Sequence, residues 1–363
     1  MQKRMIMTTL SKNKIVLGLS GGVDSTAAAL LLKEQGFTVI GFYFDVLGNN
    51  REGAEAAERL ADQLGIELIK KDVSEEFAKE VIGSFCSEYA CGRTPNPCIV
   101  CNPAVKFKTL VQTADEQNAF YIATGHYAGC VYDEERQTYY IKRSANTRKD
   151  QSYMLYRLGQ ETLSRVIFPL EKAEEKAEIR EIVRERNLFN ADAADSQEIC
   201  FIDETQEDYV SFLQRQGVEL KEGDFIDIQG NRLGRHGGIC RYTVGQRKGL
   251  GIALGKPAFV TAVDAIKNTV TLGDNEDLFQ RRVFSSGNFF TETGNDKMPE
   301  RYGGEIRVQA KIRYGSRLSD ASVFAQKDGT LLTVFDDPQR AAAPGQSIVF
   351  FEGERVIGGG FIR

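Results

Sequence analysis

Gly18-Leu19-Ser20-Gly21-Gly22-Val23-Asp24-Ser25 is the stretch that decides the fold. It follows an apolar run, Lys14 to Leu19, that reads as a strand, and it opens Ser25 to Gln35, which reads as a helix ending at Gly36. A glycine-rich turn from strand into helix is where backbone N–H groups and a helix N-terminus can cradle phosphate. Gly21 and Gly22 let the main chain approach an anion, and Ser20 and Ser25 add hydroxyl donors. There is no GxxxxGK[ST] and no GxGxxG, so neither a Walker loop nor a dinucleotide fingerprint is present. Asp24 is out of place beside an anion unless it holds a metal ion or caps the helix. An ordinary strand-to-helix turn capped by Asp24 or Ser25 is the plainer alternative.

Working outward, strand and helix alternate as a parallel sheet requires. Phe37 to Val46 reads as a second strand, Ala54 to Leu64 as a helix stopped by Gly65, and Ile66 to Val73 as a third strand. Ser74 to Ala90 reads as helix, Val105 to Ala114 as another, and Phe120 to Thr124 as a further strand. The expectation is a doubly wound α/β domain over residues 1–205, closed by a charged helix from Glu171 to Leu188 with Ile179, Ile182 and Val183 on one face. A glycine-rich, basic stretch then implies a small central domain over 206–257. From Ala258 the pattern turns to short strands: Phe259 to Val263, Thr269 to Leu272, Ile306 to Arg313, Ser322 to Ala325, Leu331 to Phe335, Ser347 to Phe351 and Val356 to Ile362. That spacing implies an antiparallel β-barrel over 258–363.

The chain has 363 residues, 42% of them hydrophobic and 27% charged, which excludes a disordered tail, a collagen and a disulfide miniprotein. No run approaches the ~20 apolar residues of a membrane span, and Met1 to Lys14 lacks the apolar core of a signal peptide, so a cytoplasmic protein with no membrane partner is expected. A net charge of −5 argues against indiscriminate coating of nucleic acid. Local charge says otherwise. Ile228 to Val263 has no acid and carries Arg232, Arg235, Arg241, Arg247, Lys248 and Lys256. A second strip holds Lys142, Arg143, Arg148 and Lys149, and a third Lys311, Arg313 and Arg317. Each alone reads as a solvated face; together they suggest a polyanionic partner.

Seven cysteines in a reducing compartment read as catalytic, metal-binding or inert thiols. Cys98 and Cys101 lie in Thr94-Pro95-Asn96-Pro97-Cys98-Ile99-Val100-Cys101-Asn102, where two prolines stiffen the approach to a helix start whose dipole favours thiolate. A redox pair or half a zinc site are alternatives, but His126 and His236 are the only histidines, so structural zinc is not expected. Cys200, between Ile199 and Phe201, reads by itself as buried and inert, and so do Cys86, Cys91, Cys130 and Cys240.

SGGVDS resembles the signature of PP-loop ATP pyrophosphatases, which adenylate a carbonyl oxygen, release pyrophosphate and admit a nucleophile. In one order along the chain come RTPNPCxxCN with VKF after it, ATGHYA, KDQSYML, DSQEICFI, TVGQRKGLGI and KIRYGS. The set is similar to the bacterial tRNA-specific 2-thiouridylase family over essentially the whole chain. That resemblance implies ATP with Mg²⁺ on Gly18, Leu19, Ser20, Gly21, Gly22, Val23, Asp24 and Ser25, with Phe44 and Gly125 near the nucleotide. It implies sulfur transfer to C2 of the wobble uridine (position 34) through a persulfide on Cys200, with Cys101 as the second nucleophile and a disulfide between them afterwards. It implies that Asn96, Pro97 and Cys98 meet the target base, and that His126, Lys149, Asp150, Gln151, Arg313, Tyr314 and Gln346 meet tRNA. Lys149 and Arg313 belong to the basic strips independently of the resemblance. Implied partners are tRNAs of the Lys, Glu and Gln types and a sulfur carrier or cysteine desulfurase, with a monomer or weak dimer expected. Cys98 stands where better-known members carry Asp, and Phe44 where others carry Met. A [4Fe–4S] cluster on Cys98, Cys101 and Cys200 is an alternative route to the same thiolation. Another PP-loop adenylating enzyme, modifying tRNA or forming amides, and a non-catalytic RNA-binding or sulfur-carrier module are the competing readings.

Overall fold

The computed structural model describes residues 10–193, 199–203 and 205–363. The chain forms two compact units, one of Met1–Ala78 with Cys101–Gln197, the other of Lys79–Val100 with Glu198–Arg363.

The first unit is the expected doubly wound domain. Strands β1 (Ser11–Gly18), β2 (Thr38–Asp45), β3 (Glu67–Asp72), β4 (Ala119–Ala123) and β7 (Val166–Ile167) form an all-parallel sheet in the order β3-β2-β1-β4-β7. Ile15, Val16 and Leu17 of β1 are fully buried, as a central parallel strand covered on both faces demands. Helices α1 (Val23–Glu34), α2 (Arg51–Leu64), the short α3 (Ser74–Phe77), α6 (Phe107–Glu116), the one-turn α7 (Gln160–Leu163) and α8 (Lys176–Glu185) belong to it. Asn50 caps α2 by accepting from the Gly53 N–H at 3.0 Å. The small face of α1 (Ala27, Ala28, Ala29 and Leu32) packs with Leu60 and Leu64 of α2 and with Ile179 and Val183 of α8. The charged helix is shorter than 171–188, because residues 168–173 turn on themselves through Glu171 N–H to Phe168 O and Ala173 N–H to Leu170 O bonds. A hairpin of β5 (Gly129–Asp133) and β6 (Thr138–Lys142), not legible as strands in the sequence, comes after β4.

Strand order reverses between β1 and β4, whose carboxyl ends are the usual place for a ligand in an open α/β sheet. Both candidate nucleotide segments, 18–25 and 124–126, leave those two ends.

The second unit contains α4 (Gly83–Ala90), the amino-terminal residues of α5 (Pro97–Cys101), and α9 (Tyr209–Arg215). The expected helix over 74–90 is broken by a π-helical turn at Ala78–Ile82, and a second π turn, Asn102–Lys106, joins α5 to α6. Such turns are rare and cluster at functional sites. Strands β8 (Gly223–Ile226), β9 (Arg232–His236), β10 (Phe259–Asp264) and β11 (Thr269–Gly273) form a sheet ordered β10-β11-β8-β9. The strands expected at 259–263 and 269–272 thus join the basic stretch rather than the barrel.

The barrel runs β12 (Phe279–Phe290), β15 (Leu331–Arg340), β14 (Ser319–Ala325), β13 (Glu305–Lys311), β16 (Ser347–Glu352) and β17 (Arg355–Ile362), and closes through β12–β17. It is fully antiparallel. Phe290, Phe335, Phe350 and Phe351 are buried in it. Among the described residues, no helix is long and apolar enough to cross a membrane.

Candidate functional site

The Gly18–Ser25 loop is tied to the start of α1 by side-chain hydrogen bonds. The Ser25 hydroxyl donates to Gly22 O at 3.0 Å and accepts from the Ser20 N–H at 3.2 Å, while the Thr26 hydroxyl donates to Gly22 O at 2.9 Å. Asn190 is buried, and its amide donates to Gly21 O and Thr26 Oγ1, both at 2.7 Å. No motif in the sequence marks Asn190, which arrives from far along the chain.

Neither Asp24 nor Ser25 caps α1: the helix starts earlier, at Val23, with Gly22 in the capping position. The Asp24 carboxylate instead accepts from Lys176 at 2.5 Å and from the Tyr127 hydroxyl at 2.8 Å. Lys176 is 16% exposed and Asp24 36%, so the pair sits at the rim of the loop. Lys176 and Tyr127 are two further residues of this site that sequence reasoning missed.

Gly125 lies hard against the same loop. A Cβ there would stand 2.8 Å from Ser25 N and 2.9 Å from Asp24 C, leaving no room for any side chain. Gly18 is flanked by Phe44, whose ring packs edge-on to Phe42 at 4.6 Å. The side chains of Leu19 and Val23 are buried in the core.

Beyond β4, His126 accepts from or donates to Thr124 Oγ1 at 2.8 Å through Nδ1 and stacks on Phe107. Burial, with Lys106 adding a like charge, holds its pKa well below 6.5, so it is neutral near pH 7. Gln151 grips the Tyr127 backbone in both directions, its side-chain carbonyl accepting at 2.9 Å and its N–H donating at 2.8 Å. Asp150 is buried and takes bonds from Ser144 N, Ser152 N and Ser152 Oγ at 3.0–3.2 Å, with Arg143 at 3.5 Å. Its carboxylate therefore shapes the Lys149–Gln151 loop from within.

The thiols differ sharply in exposure. Cys98 and Cys200 are exposed and Cys101 is buried. Cys200 is thus not the buried residue its apolar neighbours suggested, and the Asp195–Glu198 part of its motif lies outside the described residues. Cys98 sits in the first turn of α5, where the Asn96 carboxamide accepts its N–H at 3.1 Å; Cys101 is the last residue of that turn. Cys91 is exposed, against expectation, and Cys86 half-buried. Cys130 conforms better: burial and Glu171 push its pKa up to about 12, which makes it a poor nucleophile.

The basic strips are narrower than they read. Arg232 and Arg235 pair with Asp224, Arg235 also with Glu222, and Lys256 with Asp274. Exposed Arg241, Arg247 and Lys248 remain in the central strip. Lys311 is buried, while Arg313 and Arg317 are exposed and Tyr314 half-buried in the turn after β13. Gln346 donates its side-chain amide to Thr94 O at 2.8 Å.

A glycine-rich loop at the switch point of a parallel sheet, joined in one chain to two β modules, puts this chain in the class of open α/β proteins whose usual ligand position is at the carboxyl ends of the strands. Family models agree in order: a tRNA methyl transferase HUP domain matches residues 13–204, a tRNA methyl transferase PRC-barrel domain 210–274, and an aminomethyltransferase beta-barrel domain 290–362. The chain is 45% identical to the tRNA-specific 2-thiouridylase MnmA 1 of Thermoanaerobacter pseudethanolicus, over 97% of this chain and 98% of that one. It is 42% identical to the MnmA of Acetivibrio thermocellus (98% and 100% covered) and 41% identical to that of Clostridioides difficile (96% and 98%). The chain belongs to the MnmA family of tRNA-specific 2-thiouridylases.

Proposed function

We propose that this protein is a tRNA-uridine 2-sulfurtransferase that activates C2 of the wobble uridine with ATP and replaces its oxygen with sulfur. The observation that carries this reading is that one chain holds both a glycine-rich loop at the switch point of its parallel sheet and exposed cysteines at Cys98 and Cys200. The family-model descriptions speak of methyl transfer, the relatives' names of thiolation. Methyl transfer needs neither a pyrophosphate loop nor a thiol set, so the residues favour thiolation.

ATP would lie with its phosphates on the Gly18–Ser25 amides, near Phe44 and Gly125. Bound Mg²⁺ would screen phosphate charge, with the Asp24 carboxylate, which also accepts from Lys176 and Tyr127, as its candidate ligand. The uracil C2 oxygen attacks the α-phosphorus, an O–P bond forms and pyrophosphate leaves. The adenylated C2 is then open to a soft nucleophile. The terminal sulfur of a Cys200 persulfide attacks it and AMP departs with the former carbonyl oxygen. Thiolate Cys101 attacks Cys200 Sγ, the S–S bond breaks, and sulfur stays on C2; the resulting Cys101–Cys200 disulfide is returned to thiols by an external dithiol. Asn96, Pro97 and Cys98 would meet the base once it has left its stack. His126, Lys149 and Gln151, with Asp150 behind them, and Arg313, Tyr314 and Gln346 would meet tRNA, chiefly through shape and local charge. The sulfur donor is a persulfide-bearing carrier or desulfurase, and of the expected domain limits 1–205, 206–257 and 258–363 the last moves past β11, whose strand belongs to the central sheet.

A [4Fe–4S] cluster on Cys98, Cys101 and Cys200 is the alternative carrier of sulfur; among the described residues no group of three Cys, His, Asp or Glu side chains gathers that could hold a metal ion. No step is assigned to it.

The test is tRNA-dependent pyrophosphate release. Wild type should release pyrophosphate and AMP only with a tRNA carrying an unmodified wobble uridine, and Asp24→Ala should abolish both. Release that ignores tRNA would refute the reading.

A further inference from the structure

Thr94 is held on every polar atom it has. Its N–H donates to Pro344 O at 2.8 Å, its carbonyl accepts from Gln346 Nε2 at 2.8 Å, and its hydroxyl donates to Thr243 Oγ1 at 3.0 Å. The partners come from the barrel turn before β16 and from the glycine-rich basic stretch, both in the second unit, as is Thr94 itself.

The turn is shaped for this contact. Gly345 has φ +89°, and a Cβ on it would stand 2.8 Å from Thr94 N and 2.9 Å from Arg93 Cβ. Its root is the end of the barrel: Gly345 N–H donates to Ile362 O at 3.0 Å and Ile362 N–H to Gln346 O at 2.8 Å.

The chain beyond Thr94 is stiff. Pro95 and Pro97 fix two φ angles and restrict the residues before them. Asn96 Oδ1 then accepts from Cys98 N at 3.1 Å and Asn96 O from Ile99 N at 3.2 Å, which starts α5. Fixing Thr94 therefore restrains the backbone that carries Cys98.

We propose that Gly345, Thr94 and Thr243 are positioning residues, a brace by which the barrel and basic stretch hold the Pro95–Cys98 segment in register for sulfur transfer. The inference rests on the thiolation reading. It assigns Gln346 a second duty, since the amide expected at tRNA is the one that grips Thr94 O. Displacing a reacting group by ~1 Å can cost ~10²-fold in rate, so a loosened brace should harm transfer more than adenylation.

The test uses the full chain with tRNA, ATP–Mg²⁺ and a persulfide donor. Wild type, Gly345→Ala and the double variant Thr94→Val/Thr243→Val are compared. Two quantities are read: 2-thiouridine formed per pyrophosphate released, and the rate at which N-ethylmaleimide labels Cys98, by peptide mass spectrometry. Both variants should lower the ratio about tenfold or more and speed Cys98 labelling, with tRNA affinity within about twofold of wild type. An unchanged ratio in a folded variant overturns the brace, whether or not labelling rises. If wild type releases pyrophosphate but makes no 2-thiouridine, the thiolation reading fails on its own. Labelling then decides: faster labelling of Cys98 supports the brace, unchanged labelling overturns it. Should Gly345→Ala not fold, the valine pair, which keeps side-chain shape, decides alone.

Discussion

Replacing Gly125 by alanine asks whether the β4 end and the phosphate loop are one fitted surface. The added Cβ would lie 2.8 Å from Ser25 N, 2.9 Å from Asp24 C and 3.0 Å from Asp24 O, all main-chain atoms of the first turn of α1. No rotamer change relieves such a clash; ordinary contact near 3.4 Å requires the turn to retreat by about 0.6 Å. Overpacking of this kind costs about 1–3 kcal/mol, or a drop of about 2–12 °C in Tm for a unit of this size. The displaced atoms include an amide at the helix N-terminus, where phosphate would be cradled. ATP affinity should therefore fall at least about tenfold, equivalent to ~1.4 kcal/mol. Gly159→Ala is the control: a Cβ on Gly159 would have nothing within 4 Å, and its φ is an ordinary −81°. Calorimetric titration with ATP–Mg²⁺ and a thermal melt read both effects. If Gly125→Ala binds ATP and melts like Gly159→Ala, the nucleotide does not depend on this fit and its placement at the β1–β4 ends is wrong.

Lys176→Met removes the cation that meets Asp24 at 2.5 Å, at a pair neither fully exposed nor fully buried. A loss of about 1–2 kcal/mol in stability is expected, between the values for surface and buried pairs, along with about tenfold weaker ATP binding that Lys176→Arg partly restores. Unchanged binding and melting would remove Lys176 from the site. For His126, the folded pKa lies well below the unfolded value near 6.5, so the unfolded chain takes up a proton first as pH falls. Its contribution is complete above pH ~6.5 and is lost as pH drops below that value, so His126→Asn should flatten the decline in Tm between pH ~7.5 and ~5.5. A decline equally steep in the variant would show that other groups govern it.

The strand–loop–helix of residues 14–35, the parallel sheet and the barrel were legible because each rests on local signals: apolar runs, glycine punctuation and short alternating strands. β12 was not, since Gln280-Arg281-Arg282 and Ser285-Ser286-Gly287 interrupt its alternation. The site divides along the same line. The loop and the thiols announce themselves by residue type and spacing. Lys176 reaches Asp24 across 152 positions, Asn190 reaches Gly21 across 169, and Gln346 reaches Thr94 across 252. Such partners are set by topology, and no local pattern marks a lysine in a charged helix as the one facing a phosphate loop. Cys200 shows the reverse error: Ile199 and Phe201 suggest burial, yet only Phe201 enters the core, packing edge-on to Phe85 at 5.3 Å, while Cys200 is exposed.

The most direct measurement is nucleoside mass spectrometry on unmodified tRNA of the Lys, Glu or Gln type incubated with the pure protein, ATP–Mg²⁺ and a persulfide donor, wild type beside Cys200→Ser. The expected result is a 2-thiouridine peak with wild type, gone in Cys200→Ser while pyrophosphate release persists. A peak of equal size in the variant would contradict sulfur delivery through Cys200, and the absence of 2-thiouridine with wild type would contradict thiolation itself.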